Sequence, residues 1–189
     1  MRPPASRAAR SRPRSSNSLL LWHIGTAAVI TYVTLGRRRI DYRFVALGAI
    51  APDLVDALLG VPLDYGSAGR GLAHTLLAAS LVAVAVLVLL RGQRRLAWFG
   101  LAVGWLLHLV ADGMWQAPET FFWPAFGSRF SAAPPEPYSV DLLLHPWRHP
   151  GTWAGELAGG LVVVWFWVAF RLGRDGRLKL FLRDGYLRP

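Results

Sequence analysis

The sequence contains no cysteine, and its acidic residues are scarce. The missing thiols exclude disulfides, cysteine-ligated metal and thiol catalysis. Only 11 Asp and Glu stand against 21 Lys and Arg in 189 residues, which gives a formal net charge of +10. Such a balance is typical of proteins that bind nucleic acid or an anionic membrane surface. The arginines bracket apolar runs and form no stripe with exposed aromatics, so we expect a lipid bilayer as partner and no nucleic acid.

Apolar residues are abundant, at 53% of the chain with a mean hydropathy of +0.33. A membrane-spanning helix needs about 20 mostly apolar residues. Four stretches approach that length, at 19–35, 72–90, 96–115 and 153–172. A fifth apolar stretch, at 44–60, is interrupted by Pro52, Asp53 and Asp56. The sequence therefore predicts an all-α fold, a polytopic membrane helix bundle with four to five transmembrane segments, whose oligomeric state is left open.

The remaining parts of the chain are polar or irregular. Residues 1–17 are rich in Arg, Pro and Ser and predict a disordered basic tail ahead of a membrane helical domain at 18–172. Within that domain, the proline-rich loop 116–152 is too long for a simple connector. The basic C-terminal tail, 173–189, is expected to lie along the membrane surface.

The distribution of basic residues predicts the orientation in the membrane. Thirteen of the 21 Lys and Arg lie in 36–43, in 91–95 and at the C-terminal end from Arg171 onward, and they share one side if all five segments span. That side should be the cytoplasm, which places the C-terminus inside a multi-pass inner-membrane protein. The five arginines of 1–17 contradict this rule, so either the tail is translocated or segment 19–35 does not fully cross.

Ionisable side chains converge on one level of the predicted bundle, at the outer ends of its segments. Burying a charge at the centre of a membrane helix costs roughly 2.5–3.5 kcal/mol on insertion scales, so such residues usually face a cavity and pair with one another. Imidazoles and carboxylates at one level can bind zinc, which we expect, or manganese or iron. The expected metal ligands are His74, His108, Asp112 and Asp53, with His23 and Glu156 as further candidates.

Spacing and flanking residues suggest further roles. His108 and Asp112, four residues apart, share one helix face, and Asp53 and Asp56 do so at a spacing of three. Asp56 is expected to orient a histidine or to act as general base, and Arg70 to hold a phosphate or pair with a carboxylate. Structural alternatives are an interhelical hydrogen bond for His23, a helix cap for Asp53, a helix-dipole partner for Glu156 and an ion pair between Asp56 and Arg70.

Three short motifs, "GAIAPDLVD", "GRGLAHTLL" and "GWLLHLVAD", resemble the YdjM-like family of predicted membrane-bound metal-dependent hydrolases. The family's order is a His in the first segment, Pro-Asp-x-x-Asp, Arg-Gly-x-x-His-Ser/Thr, His-x-x-x-Asp and an aromatic-Pro loop. The matching positions here are His23, Asp53 with Asp56, Arg70 to Thr75, His108 with Asp112, and Phe122 to Pro124.

The chain departs from two related patterns. Family members often have His before the Arg-Gly pair, where this chain has Gly69. The order of the motifs is also similar to that of zinc-dependent phospholipase C, in which a later His-x-x-x-Glu supplies ligands. Here Thr152 stands four residues before Glu156.

The resemblance implies a membrane-bound hydrolase in which a metal-polarised water attacks an ester or phosphoester of a lipid-like substrate. Two other classes stay open. One is a membrane transporter or a metal- or proton-handling protein, because intramembrane Asp and His also form relays. The other is a non-catalytic scaffold with a structural metal.

Overall fold

A computed structural model describes residues 20–36, 40–63, 70–130 and 145–188. The expected disordered tail 1–17 and Gly69 lie outside these residues. Within them the chain is helical and has no strand, which confirms the all-α prediction. Three short 3-10 helices cover Leu72–His74, Met114–Gln116 and Pro146–Arg148. The α-helices are α1 (Leu20–Leu35), α2 (Tyr42–Leu63), α3 (Leu76–Leu89), α4 (Gly92–Ala111), α5 (Pro118–Phe121), α6 (Pro150–Ala169) and α7 (Arg177–Asp184).

Helix α4 lies at the centre of the bundle and packs against α1, α2 and α3, while α6 packs against α1. Glycines let the main helix pairs approach closely. A Cβ atom at Gly104 would collide with the carbonyl oxygen of Val45, and one at Gly48 with that of Leu101. Gly25 of α1 and Gly159 of α6 meet in the same way. Small residues at helix crossings are typical of membrane bundles, in which tight packing replaces the hydrophobic effect.

The number of membrane spans is not confirmed. Among the described residues, only α6 is both long enough and apolar enough to cross a bilayer. Helices α1 and α3 are apolar but have 16 and 14 residues. Helices α2 and α4 have 22 and 20 residues, but both carry charged side chains. The prediction of four to five spans therefore stays a prediction.

The helix boundaries differ from the predicted segments in a way that affects the polar residues. Helix α2 continues through Pro52, so Asp53 lies within the helix and does not cap the start of one. Helix α3 begins only at Leu76, because the Thr75 hydroxyl accepts the N–H of Ala78 and caps it. His74 consequently lies in a 3-10 turn before the helix.

Helix α4 ends at Ala111, followed by Asp112 and by Gly113 with φ 64° in the left-handed region. Glycine adopts this conformation at little steric cost, and it commonly ends helices. Asp112 is therefore the C-terminal cap of α4 rather than a residue within a longer span.

The C-terminal segment packs against the start of α2. The N–H of Tyr42 donates to the Gly185 carbonyl at 2.9 Å, and the Arg43 guanidinium donates to the Leu182 carbonyl at 2.6 Å. Buried Leu187 contacts the aromatic cluster of Tyr42, Phe166 and Phe170. This end of the bundle carries many basic residues, and the predicted site residues lie at the other end.

Candidate metal centre

The structure brings together seven of the eight predicted site residues, from α1, α2, the 3-10 turn and the end of α4. Two overlapping groups could hold a metal ion, because their ligand atoms all lie within 4.8 Å of one another. One group is His23, His108 and Asp112, and the other is Asp53, His74 and His108. Asp56 and Arg70 contact these groups directly. The convergence expected from the sequence is thus present in the fold.

The centre of the cluster is a pair of fully buried imidazoles, with His74 Nε2 and His108 Nε2 3.2 Å apart. His108 Nδ1 donates to the carbonyl oxygen of Ala49 at 2.7 Å, since a carbonyl can only accept. His74 Nδ1 lies 2.7 Å from a carboxylate oxygen of Asp56 and donates to it. In each ring the Nδ1 proton is therefore donated to a group outside the imidazole pair. The two Nε2 lone pairs face each other unless a cation or a further proton lies between them.

Asp56 fixes the orientation of His74. Its carboxylate accepts the backbone N–H groups of Gly71 and Ala73 at 2.6 and 2.9 Å, as well as the imidazole. The Trp105 indole donates to the Ala73 carbonyl at 2.9 Å and ties this turn to α4. A carboxylate behind a histidine is a recurrent arrangement at metal sites, where it sets the tautomer and the ring orientation.

Two carboxylates complete the shell around the paired Nε2 atoms. Asp53 Oδ1 lies 3.3 Å from His74 Nε2 and 3.5 Å from His108 Nε2. Asp112 Oδ2 lies 3.6 and 3.9 Å from the same two atoms. Zinc bonds of about 2.0–2.2 Å in a tetrahedron require ligand atoms about 3.3–3.6 Å apart. The atoms of His74, His108 and Asp53, which lie 3.2–3.5 Å apart, therefore have a spacing close to that of zinc ligands, and Asp112 Oδ2 lies slightly farther from the two imidazoles.

The charges in the cluster also fit a divalent cation. Asp53, Asp56 and Asp112 carry three negative charges when ionised, against one guanidinium from Arg70. With neutral imidazoles, the cluster is left with two uncompensated negative charges in a largely buried place. Burying unpaired charge is costly. A divalent ion, or protons on both histidines, would balance it.

Asp112 also has two partners outside the imidazole pair. Its Oδ1 lies 3.0 Å from His23 Nε2, and its Oδ2 lies 3.0 Å from an Arg70 guanidinium nitrogen. The His23 ring stacks on that of His108 with centroids 4.1 Å apart. Arg70 thus pairs with a carboxylate, that of Asp112, which is one of the two alternatives left open for it.

Glu156 belongs to neither group of possible ligands among the described residues. Its two carboxylate oxygens accept the backbone N–H groups of Leu21 and Trp22, both at 3.0 Å. These are first-turn donors of α1, which have no partner within their own helix. Glu156 thus contacts a helix N-terminus, but that of α1 and not that of its own helix, which was the structural alternative considered for it.

Access to the cluster is uneven. The side chains of His74 and His108 are fully buried, and that of Asp112 is 4% exposed. Asp53 is 38% exposed and Arg70 is 20% exposed. A molecule that approaches the cluster from outside therefore meets Asp53 and Arg70 first.

Four contributors to the cluster could not be found from sequence motifs. The Ala49 carbonyl and the backbone N–H groups of Gly71 and Ala73 are main-chain groups, which any residue supplies. Trp105 lies within a quoted motif, "GWLLHLVAD", but nothing in the sequence indicates that its indole holds the turn that carries His74.

The described part of the chain is thus a helical bundle with one helix long and apolar enough to cross a bilayer and with buried His and Asp groups that could hold a metal ion. The family model of the YdjM inner membrane protein matches residues 20–176, and the chain belongs to this family. The resemblance inferred from the motifs is confirmed, as is the membrane localisation. No curated protein and no solved structure matches the chain.

Proposed function

We propose that the protein is a membrane-bound metal-dependent hydrolase, with zinc as its metal, acting on an ester or phosphoester of a lipid-like substrate. The observation that carries the proposal is the pair of Nε2 atoms 3.2 Å apart, each with its Nδ1 proton committed elsewhere. A cation shared by the two Nε2 atoms would account for this arrangement of buried imidazoles.

The residues that would hold the ion are His74, His108, Asp53 and Asp112. A zinc ion supplies a Lewis acid that polarises both water and an ester or phosphoryl oxygen. Asp56 and the Ala49 carbonyl keep both imidazoles in the tautomer that leaves Nε2 unprotonated. The buried His23 holds Asp112 from behind, which makes it a positioning residue in this proposal.

A lipid-like substrate is supported by the place of the cluster and by its surroundings. Asp53 is flanked on α2 by Leu54 and Leu58, which are 53% and 66% exposed. Trp115, just beyond the end of α4, is 56% exposed. Exposed apolar and indole side chains at a bundle end are typical of the membrane–water interface, where ester and phosphate groups of lipids lie.

The distribution of ionisable residues favours hydrolysis over transport. Helix α3 carries none, α4 carries none between Arg95 and His108, and α6 carries none after Glu156. A transporter is expected to place polar groups near the middle of the membrane, at the interface of repeated halves. In the described helices the ionisable groups lie toward the helix ends, and the His and Asp groups gather at one of these ends, as a reaction centre at the membrane surface requires.

The test is elemental analysis of the detergent-purified full chain, followed by hydrolysis assays on phospholipid and on lipid-linked phosphate in mixed micelles. We expect near-stoichiometric zinc and hydrolysis in the wild type. A folded His108→Ala/Asp112→Ala variant should lose both, whereas a His145→Ala/Asp175→Ala variant should keep both.

Two outcomes would contradict the proposal in different ways. Absence of metal even after reconstitution would mean that the imidazoles share protons instead, as a buried polar pair. Full zinc occupancy without hydrolysis of any ester or phosphoester would leave a structural metal in a non-catalytic protein.

A further inference from the structure

We propose that Arg70 makes this centre selective for a phosphoester anion over a neutral carboxylic ester. The inference rests on the proposed hydrolytic function and names the substrate class of that same site. The Arg70 side chain lies at the edge of the cluster and is partly exposed.

Arg70 lies beside the atoms that would hold the ion. One guanidinium nitrogen is 3.0 Å from Asp112 Oδ2, and that same oxygen is 3.6 Å from His74 Nε2. A single oxygen atom, Asp112 Oδ2, thus lies between the guanidinium and the imidazole nitrogens that would bind the ion. A substrate oxygen that reaches the ion is therefore within reach of the guanidinium.

Arg70 is also, with Asp53, one of the two cluster residues whose side chains are partly exposed. It is the only Arg or Lys among the seven cluster residues. A carboxylate at an entrance repels anions, so Asp53 alone would favour a neutral ligand. An arginine beside it offsets that repulsion and offers a partner to an incoming negative charge.

The charge of the loaded site leads to the same conclusion. With a divalent ion bound, the three carboxylates and Arg70 sum to a neutral site. Removing the guanidinium would leave a net negative site, which disfavours a phosphate group and has little effect on an uncharged ester. A partly buried guanidinium at this position would add little to the binding of a neutral ester.

The guanidinium can contact Asp112 and a phosphate group at the same time. It carries five N–H donors in a rigid plane, so one edge can pair with a carboxylate while another donates to a phosphate oxygen. Lysine is a point charge without this fork. Arg70→Lys should therefore keep the charge balance and the pairing with Asp112, but hold a phosphate less well.

The first measurement is phosphate binding, which does not depend on turnover. Zinc-loaded wild type, Arg70→Gln and Arg70→Lys are titrated with inorganic phosphate by calorimetry and thermal denaturation, with zinc content measured in each. The matched control is Arg94→Gln, an exposed arginine at the start of α4. We expect wild type and Arg94→Gln to bind phosphate alike, Arg70→Gln to bind about ten- to a hundredfold more weakly, and Arg70→Lys to fall between them.

The second measurement compares a phosphodiester, bis-p-nitrophenyl phosphate, with a carboxylic ester, p-nitrophenyl butyrate. In Arg70→Gln with retained zinc, kcat/KM for the phosphodiester should fall about ten- to a hundredfold, and that for the carboxylic ester should change less than about threefold. Equal losses for the two substrates would mean that Arg70 is structural, and would overturn the inference.

The outcomes separate this inference from the proposed function. Arg70-dependent phosphate binding without hydrolysis of either substrate would refute the hydrolase and leave the anion site standing. Wild-type protein with full zinc that gains no stability from phosphate would overturn the inference whatever the variants do. If Arg70→Gln loses its zinc, the Arg70→Lys variant provides the test. A phosphate affinity of Arg70→Lys equal to that of the wild type would show that the planar guanidinium does not recognise the phosphate.

Discussion

At the scale of single residues, the four carboxylates of the predicted site fall into two groups according to their hydrogen-bond partners. Asp56 accepts two backbone N–H groups and an imidazole, and Glu156 accepts two backbone N–H groups of α1. Asp53 and Asp112 instead turn oxygens toward the paired imidazoles. The first two therefore organise the scaffold, while the second two are placed to meet a cation.

Asp56→Asn should weaken metal binding without removing a ligand. An amide offers one acceptor oxygen, and its NH₂ group would face donors that the carboxylate now satisfies. We expect zinc affinity to fall about ten- to a hundredfold, as for other partners behind a ligand. Competition with a chromogenic chelator measures this, with the exposed Asp175→Asn as control. Unchanged affinity in a folded variant would show that Asp56 does not orient His74.

Glu156→Gln separates a capping role from the metal-binding role expected from the sequence. Losing one of two acceptors at the start of α1 should lower the free energy of unfolding by about 1–2 kcal/mol. Zinc content should stay at the wild-type level. Thermal denaturation and elemental analysis on the same sample provide both readings. Loss of zinc at unchanged stability would instead make Glu156 a ligand.

At the scale of elements, helix ends and helix crossings build the centre. His74 precedes α3 and Asp112 follows α4, so two of the four proposed ligands lie at helix ends, where the chain can turn toward a common point. The crossing of α2 and α4 at Gly48 and Gly104 brings Asp53 and Ala49 on one helix to His108 on the other. The distance between these helices thus sets the geometry of the cluster.

Gly104→Ala should separate α2 from α4. Its Cβ would collide with the Val45 carbonyl, a backbone atom that cannot swing away. We expect a loss of about 1–3 kcal/mol in stability, as for overpacked cores, together with weaker zinc binding. The control is Gly151→Ala on α6, where a Cβ meets open space and should be neutral or slightly stabilising. A Gly104→Ala variant as stable as this control would contradict the close crossing.

At the scale of the whole molecule, the bundle has two chemically different ends. One carries the His and Asp cluster with exposed Trp115, and the other carries the basic C-terminal segment packed on Tyr42 and Arg43. Helix α6, the one described helix that is long and apolar enough to cross a bilayer, connects them. This polarity predicts that the cluster faces outward and that the basic end is cytoplasmic.

The orientation can be tested cleanly because the chain has no cysteine, so each variant carries a single thiol. Trp147 and Lys179 are exposed and lie on either side of α6. A membrane-impermeant maleimide should label Trp147→Cys in intact cells, and Lys179→Cys only after permeabilisation. Labelling of both from the same side would show that α6 does not span. The reverse pattern would invert the orientation.

The sequence by itself determined the helical class, the family and the residue types that gather at one level, because apolar run length and the positions of rare ionisable groups are local properties. It correctly indicated that the polar groups of separate segments meet, although Asp112 caps the end of α4 and does not lie within that helix. Tertiary structure alone decided which atoms meet. The pairing of Arg70 with Asp112, the contact of Glu156 with α1 and the acceptor that Ala49 offers to His108 depend on helix crossings and on backbone groups. No residue type encodes these, since they arise only when distant segments pack at van der Waals distance.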